Sequence, residues 1–376
     1  MSIDGDDEHD HRIPVTVLTG YLGAGKTTLL NRILSEPHGR RYAVLVNEFG
    51  EIGIDAELIV GADEELFEMN NGCVCCTVRG DLIRTLHTLL AGNAARAKPF
   101  DAIVVETTGL ADPAPVAQTF LADALLQSRT RLDSITTVVD ARHIVARLAD
   151  SAEAAAQIAF ADQIVLNKTD LVTPDELDAV QARLRRLNPF APIHRAVRSQ
   201  VALADVLERG GFDLARIDAA APDDDGHGNA HRHDAGCDHD HDHDHDHDHD
   251  HDHDHDHDHD QAASRANADH ARDAGIESVS LQSHVPMDRD AIEAWLTAML
   301  AAQGDRILRA KGIVAVRDEP RRLVFQAVHR LLEGDWQRPW RDGEARTSRL
   351  VFIGRGLDAA ALRAGFDACA AGASAA

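Results

Sequence analysis

Residues 20–27 read Gly-Tyr-Leu-Gly-Ala-Gly-Lys-Thr, and this stretch decides the fold class. It follows the apolar run Ile13 to Leu18 and precedes a segment with helical periodicity, the context that gives this pattern its meaning. Glycines let the backbone curl so that its N–H groups point at phosphate oxygens, and the following helix presents its positive end. The stretch therefore predicts a phosphate-binding loop.

Within this loop, two side chains have predicted chemical roles. Lys26 would reach the β- and γ-phosphates of a nucleotide, and the Thr27 hydroxyl would bind Mg²⁺. The remaining predicted nucleotide contacts are made mainly by the backbone of the loop and of the first helical turn, at Gly20, Gly23, Ala24, Gly25 and Thr28.

The chain around the loop alternates short apolar runs with amphipathic stretches. Runs rich in Val and Ile and bounded by turn signals predict buried strands, at Ile13 to Leu18, Tyr42 to Val46, Ala102 to Val105, Ser134 to Val139 and Gln163 to Leu166. One amphipathic stretch places Leu82, Ile83, Leu86, Leu89 and Leu90 on one helical face. Strands separated by helices predict an α/β domain with a mostly parallel sheet.

Asn167-Lys168-Thr169-Asp170 follows the last of these strands. In nucleotide-binding folds of this kind, Asn-Lys-x-Asp resembles a guanine-recognition motif. An Asp carboxylate can accept both donors of the guanine edge, N1–H and the 2-amino group, and adenine lacks that donor pair. The motif therefore favours GTP over ATP as the nucleotide.

Val104-Val-Glu106-Thr-Thr-Gly109 ends another predicted strand. An acidic residue at that position can lie near Mg²⁺ or its waters, and the Gly109 N–H can face the γ-phosphate. Lys26, Thr27, Glu106 and Gly109 are therefore the predicted catalytic group. No Gln near Gly109 is evident to orient the attacking water, so the catalytic base is not identified and slow intrinsic hydrolysis is expected.

Three of the five cysteines crowd into Cys73-Val-Cys75-Cys76, a spacing typical of a metal or redox site. Three thiolates can converge on one soft cation such as Zn²⁺, and the fourth ligand would be Glu51 or water. An open fourth position suits a site that hands metal on. A redox dithiol is the competing interpretation, although redox pairs usually show two spaced cysteines.

The net charge of −25 is concentrated in two tracts, because residues 223–260 carry −15 and residues 1–11 carry −5. Eleven His-Asp dipeptides fill 239–260, and a segment without apolar residues cannot offset the entropy of ordering. The predicted organisation is an acidic tail at 1–11, a nucleotide-binding domain at 12–215, a disordered linker at 216–275 and a small α+β domain at 276–372.

The second domain is predicted to hold a mostly antiparallel sheet. Its predicted elements are strands at Glu277 to Leu281, Ile313 to Val316, Leu323 to Val328 and Leu350 to Ile353, with helices around Ile292 to Met299 and at Asp358 to Cys369. Ile313 to Val316 and Leu323 to Val328 are expected to be adjacent.

Alternating imidazoles and carboxylates in the linker form a flexible polydentate ligand for Zn, Co or Ni. We predict weak, multiple and pH-dependent metal binding there, beginning with His239, His241, His243, His245 and His247. A solvated spacer without a metal role is the alternative.

Composition also bounds the function classes. The acidic balance disfavours a nucleic-acid binder with a general basic surface. The first residues lack the pattern of a signal peptide, and no apolar stretch reaches the length of a membrane span. We therefore expect a cytoplasmic protein without nucleic-acid or membrane partners.

Together these motifs resemble the CobW family of metal-handling P-loop GTPases, relatives of the nickel-insertion GTPases of urease and hydrogenase maturation. The resemblance rests on Gly20 to Thr27, Asn47 to Asp55, Cys73 to Cys76, Glu106 to Gly109, Asn167 to Asp170 and, in the second domain, Arg349 to Arg355.

The resemblance implies a zinc metallochaperone in which GTP hydrolysis drives or gates transfer of metal to a client metalloprotein. Lys26 and Thr27 would serve phosphate and Mg²⁺, Asn167 and Asp170 would serve guanine, and the three cysteines would serve zinc. A cobalt-handling GTPase, a His-rich metal buffer with regulatory GTP binding and a GTPase with redox-sensing thiols remain open alternatives.

Overall fold

The computed structural model describes residues 11–37, 39–46, 65–68, 76–93, 99–207 and 275–370, with only the backbone for 65–68 and 76–79. Predictions for Glu51, Cys73, Cys75 and the linker histidines at 239–247 therefore lie outside the described residues.

The amino-terminal part of the chain forms one parallel sheet of seven strands in the order β3-β2-β4-β1-β5-β6-β7. The central strands are buried along their whole length, as their continuous Val and Ile runs predict. The strands are β1 (Ile13–Thr19), β2 (Tyr42–Val46), β3 (Glu65–Glu68), β4 (Ala102–Glu106), β5 (Thr130–Asp140), β6 (Gln163–Asn167) and β7 (Ile193–Arg195).

In the part of the chain that the structure describes, seven α-helices connect these strands. They are α1 (Lys26–Ser35), α2 (Cys76–Asn93), α3 (Ala114–Ala122), α4 (Ala124–Arg129), α5 (Ile144–Asp150), α6 (Ala152–Phe160) and α7 (Pro174–Leu187). Local sequence sets their ends: Thr173 and Glu176 form a reciprocal capping box at the start of α7, and the Asp123 carboxylate caps α4. The predicted α/β architecture with a parallel sheet is confirmed.

In α2, the apolar face packs on the sheet as its periodicity predicts. Leu82, Leu86, Leu89 and Leu90 are buried, whereas Ile83 is only partly buried. Four successive buried leucines on one face explain why this 18-residue helix lies against the sheet.

Residues 276–370 form an antiparallel sheet in the order β11-β10-β9-β12-β8, and two helices pack on one face of it. Its elements are β8 (Ile276–Ser283), α8 (Arg289–Gln303), β9 (Ile307–Ala315), β10 (Arg321–Val328), β11 (Leu331–Pro339), β12 (Ser348–Arg355) and α9 (Ala359–Ala368). The predicted adjacency of β9 and β10 is confirmed by their antiparallel pairing.

Two strand predictions are wrong in extent. Strand β9 begins at Ile307, six residues before the predicted start at Ile313, and β5 begins at Thr130, four residues before Ser134. Both extensions contain charged residues, which interrupt the apolar runs from which the strands were predicted. Strand β11 was not predicted, because its residues are polar and half exposed on an edge of the sheet.

The two sheets share an apolar contact and a buried ion cluster. Leu308, Val351 and Ile353 of the second sheet join the apolar cluster beneath the first. Beside them, both oxygens of Asp162 accept hydrogen bonds from Arg309 Nη2, at 2.9 and 2.8 Å, and Lys311 also pairs with this carboxylate. Since Asp162 directly precedes β6, this ion cluster lies at the amino edge of the parallel sheet.

The pKa values in the ion cluster follow from burial and charge. Burial raises the pKa of Asp162, but the charges of Arg309 and Lys311 outweigh it and hold that pKa below its usual range. Burial, together with the neighbouring charge of Arg309, lowers the pKa of Lys311 to about 8. Arg309 is therefore the principal counter-ion of Asp162, and Lys311 is the cation that gives up its proton more readily.

Candidate nucleotide site

The loop between β1 and α1 takes a conformation that requires glycine. Gly25 has φ of 110°, and a Cβ atom there would lie 2.4 Å from the Asn167 amide nitrogen. Gly20 has φ of 141°, and a Cβ atom there would lie 2.2 Å from the Val138 carbonyl oxygen. Because neither position has room for a side chain, the loop packs directly on the strands beside it.

Lys26 is the first residue of α1, and its side chain is buried beneath the loop. Its Nζ donates to the Gly20 carbonyl oxygen over 2.9 Å, so the ammonium is held within the curve of the loop. Gly25 provides no side chain to cap α1, which leaves the first amides of the helix available for an anion.

The other predicted loop contacts occupy the same turn. Ala24 is fully buried, Thr27 is partly buried and Thr28 is exposed, while Gly23 has a positive φ of 74°. The backbone around Gly23 to Thr28 is therefore arranged for a ligand at the carboxyl edge of the sheet.

Asn167, at the end of β6, joins the loop to the Asn-Lys-Thr-Asp turn. Its Nδ2 donates to the Ala24 carbonyl oxygen over 2.9 Å and to Ser199 Oγ over 3.1 Å, while its Oδ1 accepts from the Ser199 N–H over 2.8 Å. These bonds occupy the buried amide, so the geometry assigns Asn167 to bracing the loop.

Lys168 and Asp170 lie on the accessible side of the same turn. Lys168 has φ of 61°, and its Nζ donates to Asp140 Oδ2 at the end of β5 over 2.7 Å. Burial raises the pKa of Asp140, but hydrogen bonds from Lys168 and His143 outweigh it and keep the pKa below its usual range. Asp170 is exposed, so its carboxylate is accessible to the base of a bound nucleotide.

Ser199 is a part of this site that the sequence analysis missed. It is fully buried with φ of 55°, and its Oγ donates to the Gly25 carbonyl oxygen over 3.0 Å. Arg32 of α1 also donates to the Ser199 carbonyl. The signal was absent from the sequence because two successive non-glycine residues with positive φ, Arg198 and Ser199, have no characteristic pattern.

Glu106 and Gly109 lie next to the loop, at and after the end of β4. Glu106 is buried and in register with Leu18 of β1. Gly109 approaches so closely that a Cβ atom there would lie 2.6 Å from the Leu22 backbone nitrogen. Among the described residues, nothing hydrogen-bonds the buried Thr108 hydroxyl, which leaves one polar group at this edge with capacity for a ligand.

The structure also brings to Gly109 a glutamine that is distant from it in the sequence. Gln157 of α6 donates from Nε2 to the Gly109 carbonyl over 3.2 Å and to the Ala111 carbonyl over 3.0 Å. The side-chain NH₂ group of Gln157 therefore already donates to two carbonyls. The one sign of this residue in the sequence is that Gln157 is the single polar residue in the apolar, Ala-rich run 154–160.

A cavity of about 270 Å³ opens beside the loop. It is lined by Tyr21, Gly23, Asp140, His143, Gln157 and Lys168, among others, and the Arg147 guanidinium covers the Tyr21 ring at 5.3 Å. The carboxyl edge of the parallel sheet thus combines an open cavity with the phosphate-loop backbone.

The predicted thiol ligands are only partly covered by the structure. The described backbone ends at Glu68 of β3 and resumes at Cys76, the first residue of α2. Glu68 is in register with Val46 of β2, which in turn is in register with Glu106. Along the chain, Cys73 and Cys75 come just before Cys76, the first residue of α2.

Within the described residues, no three His, Cys, Asp or Glu side chains gather as a metal-binding group. In that same part of the chain, no helix is both long and apolar enough to cross a membrane.

Two family models match the chain. Residues 14–195 match the model described as CobW/HypB/UreG, nucleotide-binding domain, and residues 276–370 match the cobalamin synthesis protein cobW C-terminal domain. The matched segments coincide with the parallel-sheet and antiparallel-sheet parts of the structure.

Of two similar curated relatives, one matches nearly the whole chain and the other about half of it. The zinc chaperone YjiA of Escherichia coli K12 is 33% identical over 354 residues, covering 94% of this chain and 98% of the relative. The zinc-regulated GTPase metalloprotein activator 1 of Schizosaccharomyces pombe is 43% identical over 201 residues, covering 51% of this chain and 47% of the relative.

A solved structure also resembles the whole chain. The crystal structure of Zn(II)-bound YjiA GTPase from E. coli matches with a TM-score of 0.63 and 30% identity, covering 96% of this chain and 99% of the other.

Proposed function

This chain is a P-loop GTPase of the CobW/HypB/UreG family, and on that premise we propose that it is a GTP-dependent zinc chaperone. It holds zinc as cargo at Cys73, Cys75 and Cys76, with Glu51 or water as fourth ligand, and releases it to a client metalloprotein in the cytoplasm.

The observation that carries the nucleotide part is the 2.9 Å hydrogen bond from Asn167 Nδ2 to the Ala24 carbonyl. It fixes the Asn-Lys-Thr-Asp turn to the phosphate loop, so that one ligand can contact both. A nucleotide with phosphates at the loop and a base at Asp170 meets that requirement, and the paired donors of guanine match the Asp170 carboxylate.

The residues present also fit Mg²⁺, which prefers oxygen ligands and shares them with substrate phosphates. The Thr27 hydroxyl at the start of α1 would hold the ion, and the buried Glu106 carboxylate would lie near it or its waters. Mg²⁺ bound there would neutralise charge on the β- and γ-phosphates. Lys26 and the Gly109 N–H would orient the γ-phosphate.

Zinc as cargo is supported by the thiol motif and by the relatives. YjiA is named a zinc chaperone, and its similar structure is described as Zn(II)-bound. In this chain, α2 begins at Cys76, and the positive end of a helix dipole favours the thiolate form that binds metal. Cobalt and nickel also bind sulfur ligands and are the alternatives to zinc as the cargo.

The test measures zinc affinity and transfer with purified full-length protein. We expect replacement of Cys73, Cys75 and Cys76 by Ala to remove the tightest zinc site, as monitored by competition with a chromophoric chelator. We also expect GTP, but not a non-hydrolysable analogue, to speed transfer of zinc from the wild-type protein to that chelator.

Cys369→Ala is the matched control, because this thiol is buried in the second domain and donates to the Gly365 carbonyl. It should leave the tightest zinc site intact. Tight stoichiometric zinc binding that survives the triple replacement would rule out the assigned site.

A metal buffer is the second candidate function, and the eleven His-Asp dipeptides favour it. Deleting residues 227–260 separates the two candidates. A chaperone should keep its tight zinc site and its GTP-stimulated transfer after the deletion, whereas a buffer should lose most of its zinc capacity.

A further inference from the structure

Gln157 is the one described side chain of α6 that hydrogen-bonds the segment after β4. It is 1% exposed, and its Nε2 bonds the carbonyls on both sides of Leu110, those of Gly109 and Ala111. Its own backbone carbonyl accepts a 2.8 Å hydrogen bond from Thr137 Oγ1 of β5. The amide therefore ties a stretch without regular structure to a helix that is anchored on the sheet.

The stretch that Gln157 holds, residues 107–111, is the sensor loop of the proposed GTPase. Thr107 anchors its start, since its N–H donates to the Leu18 carbonyl over 2.9 Å and its Oγ1 bonds Thr19 Oγ1 over 2.9 Å. Gly109 lies against Leu22 of the phosphate loop. Any change in Gly109 caused by a γ-phosphate therefore also moves an atom bonded to Gln157.

The other end of α6 is joined to the second domain. Arg309 of β9 donates to the Phe160 carbonyl at the last residue of α6 and bonds Asp162 two residues later. The Phe160 ring also lies 6.1 Å from the His329 ring, centroid to centroid. Asn188 Nδ2 fixes the same end from the α7 side by donating to the Ile158 and Ala161 carbonyls.

Helix α3, which follows the sensor loop, packs against β10 and β11 of the second domain. The sensor loop is thus connected to that domain along the chain through α3 and across the fold through Gln157 and α6. The connection across the fold depends on the side chain of Gln157.

We propose that Gln157 is a positioning residue that couples the nucleotide-dependent state of the sensor loop to the carboxy-terminal domain through α6 and the Arg309–Asp162 junction. The inference rests on the proposed function, because it takes Gly109 as the residue that faces the γ-phosphate.

The test compares Gln157→Leu with Gln163→Leu in the full-length protein. Gln163 is also fully buried, and its amide bonds Thr136 Oγ1 at 2.6 Å and the Val206 carbonyl at 2.9 Å. It therefore controls for loss of a buried glutamine amide whose hydrogen bonds go to β5 and to Val206. Three quantities are measured: affinity for fluorescent GDP and GTP, steady-state kcat and KM, and amide hydrogen exchange with GDP and a GTP analogue.

For Gln157→Leu we expect kcat to fall about tenfold, the equivalent of two neutral hydrogen bonds, while GDP affinity changes less than about twofold. The difference in amide exchange at 307–315 between the GTP analogue and GDP, present in the wild-type protein, should be lost. Gln163→Leu should keep both kcat and the exchange difference.

Wild-type kcat together with a retained exchange difference in Gln157→Leu would overturn the inference. So would equal losses in both variants, or a wild-type protein whose 307–315 segment exchanges identically with either nucleotide. Absence of GTP binding in the wild-type protein would overturn the proposed function first, and the titration shows this before any variant is compared.

Discussion

The two edges of the parallel sheet use polar groups in opposite ways. At the carboxyl edge, the phosphate loop, Thr108 and Asp170 leave hydrogen-bonding capacity open to a ligand. At the amino edge, Asp162 is enclosed by Arg309 and Lys311 of the second domain. The carboxyl edge is built to bind and release, and the amino edge is built to hold two domains together.

This difference predicts whether a substitution at each edge should change the stability of the fold or the binding of a ligand. A charge removed at the amino edge leaves its partners buried without compensation, so stability suffers. A polar group removed at the carboxyl edge loses its interaction with a ligand, so binding suffers and the fold persists.

The largest effect is expected for Asp162→Asn. Loss of this carboxylate leaves Arg309 and Lys311 buried without their counter-charge, which should lower the free energy of unfolding by about 3–5 kcal/mol. Urea titration followed by circular dichroism measures it. Asp178→Asn is the control, because Asp178 and its partner Arg195 have side chains 74% and 53% exposed, and a change under about 1 kcal/mol is expected. Similar values for the two variants would contradict the contrast between the edges.

At the carboxyl edge, Lys26→Ala should weaken GTP binding by about 10²-fold, the equivalent of losing strong charge-assisted phosphate contacts. Fluorescent-nucleotide titration measures the affinity. The midpoint of urea unfolding should shift less than for Asp162→Asn, because Lys26 donates to the uncharged carbonyls of Gly20 and Tyr21, and a carbonyl that loses a donor costs less than an unpaired buried charge. If Lys26→Ala lowered the stability of the fold but kept the wild-type affinity for GTP, the proposed difference between the two edges would be contradicted.

Asp170→Asn should weaken GTP binding by about tenfold or more and leave ATP binding unchanged, since the carboxylate accepts two donors that only guanine has. Asp175→Asn, an exposed acid nearby at the start of α7, is the matched control and should bind GTP normally. Equal loss for GTP and ATP would remove the guanine assignment of Asp170.

The remaining prediction concerns the pH dependence of stability at the amino edge. Folded Lys311 releases its proton near pH 8, whereas unfolded lysine keeps it to about 10.4. The unfolded chain therefore binds more protons in that window, and this group's contribution to stability rises with pH by up to about 3 kcal/mol. Comparing unfolding of the wild-type protein and Lys311→Met from pH 7.5 to 10.5 measures it. A wild-type curve that falls relative to the variant would contradict the lowered pKa.

Much of the fold followed from local pattern. The glycine spacing of residues 20–27 and the short Val-rich runs predicted the phosphate loop and the central strands, because both depend on neighbouring residues. The amino edge did not follow, because Arg309 and Lys311 meet Asp162 across about 150 residues and look like strand breaks in isolation.

The candidate site divides in the same way. Lys26, Asp170 and Gly109 belong to contiguous motifs and were predicted. Gln157 and Ser199 reach the site from separate elements, and only the folded chain brings their side chains to Gly109 and Gly25.

The most direct test of the central claim is zinc affinity of the wild-type protein with GDP and with a non-hydrolysable GTP analogue. Thermodynamic linkage requires zinc to change nucleotide affinity by the same factor, typically ~5–150-fold. We predict different zinc affinities in the two nucleotide states, with that difference lost when Cys73, Cys75 and Cys76 are replaced by Ala. Equal zinc affinities with GDP and the GTP analogue would contradict the account.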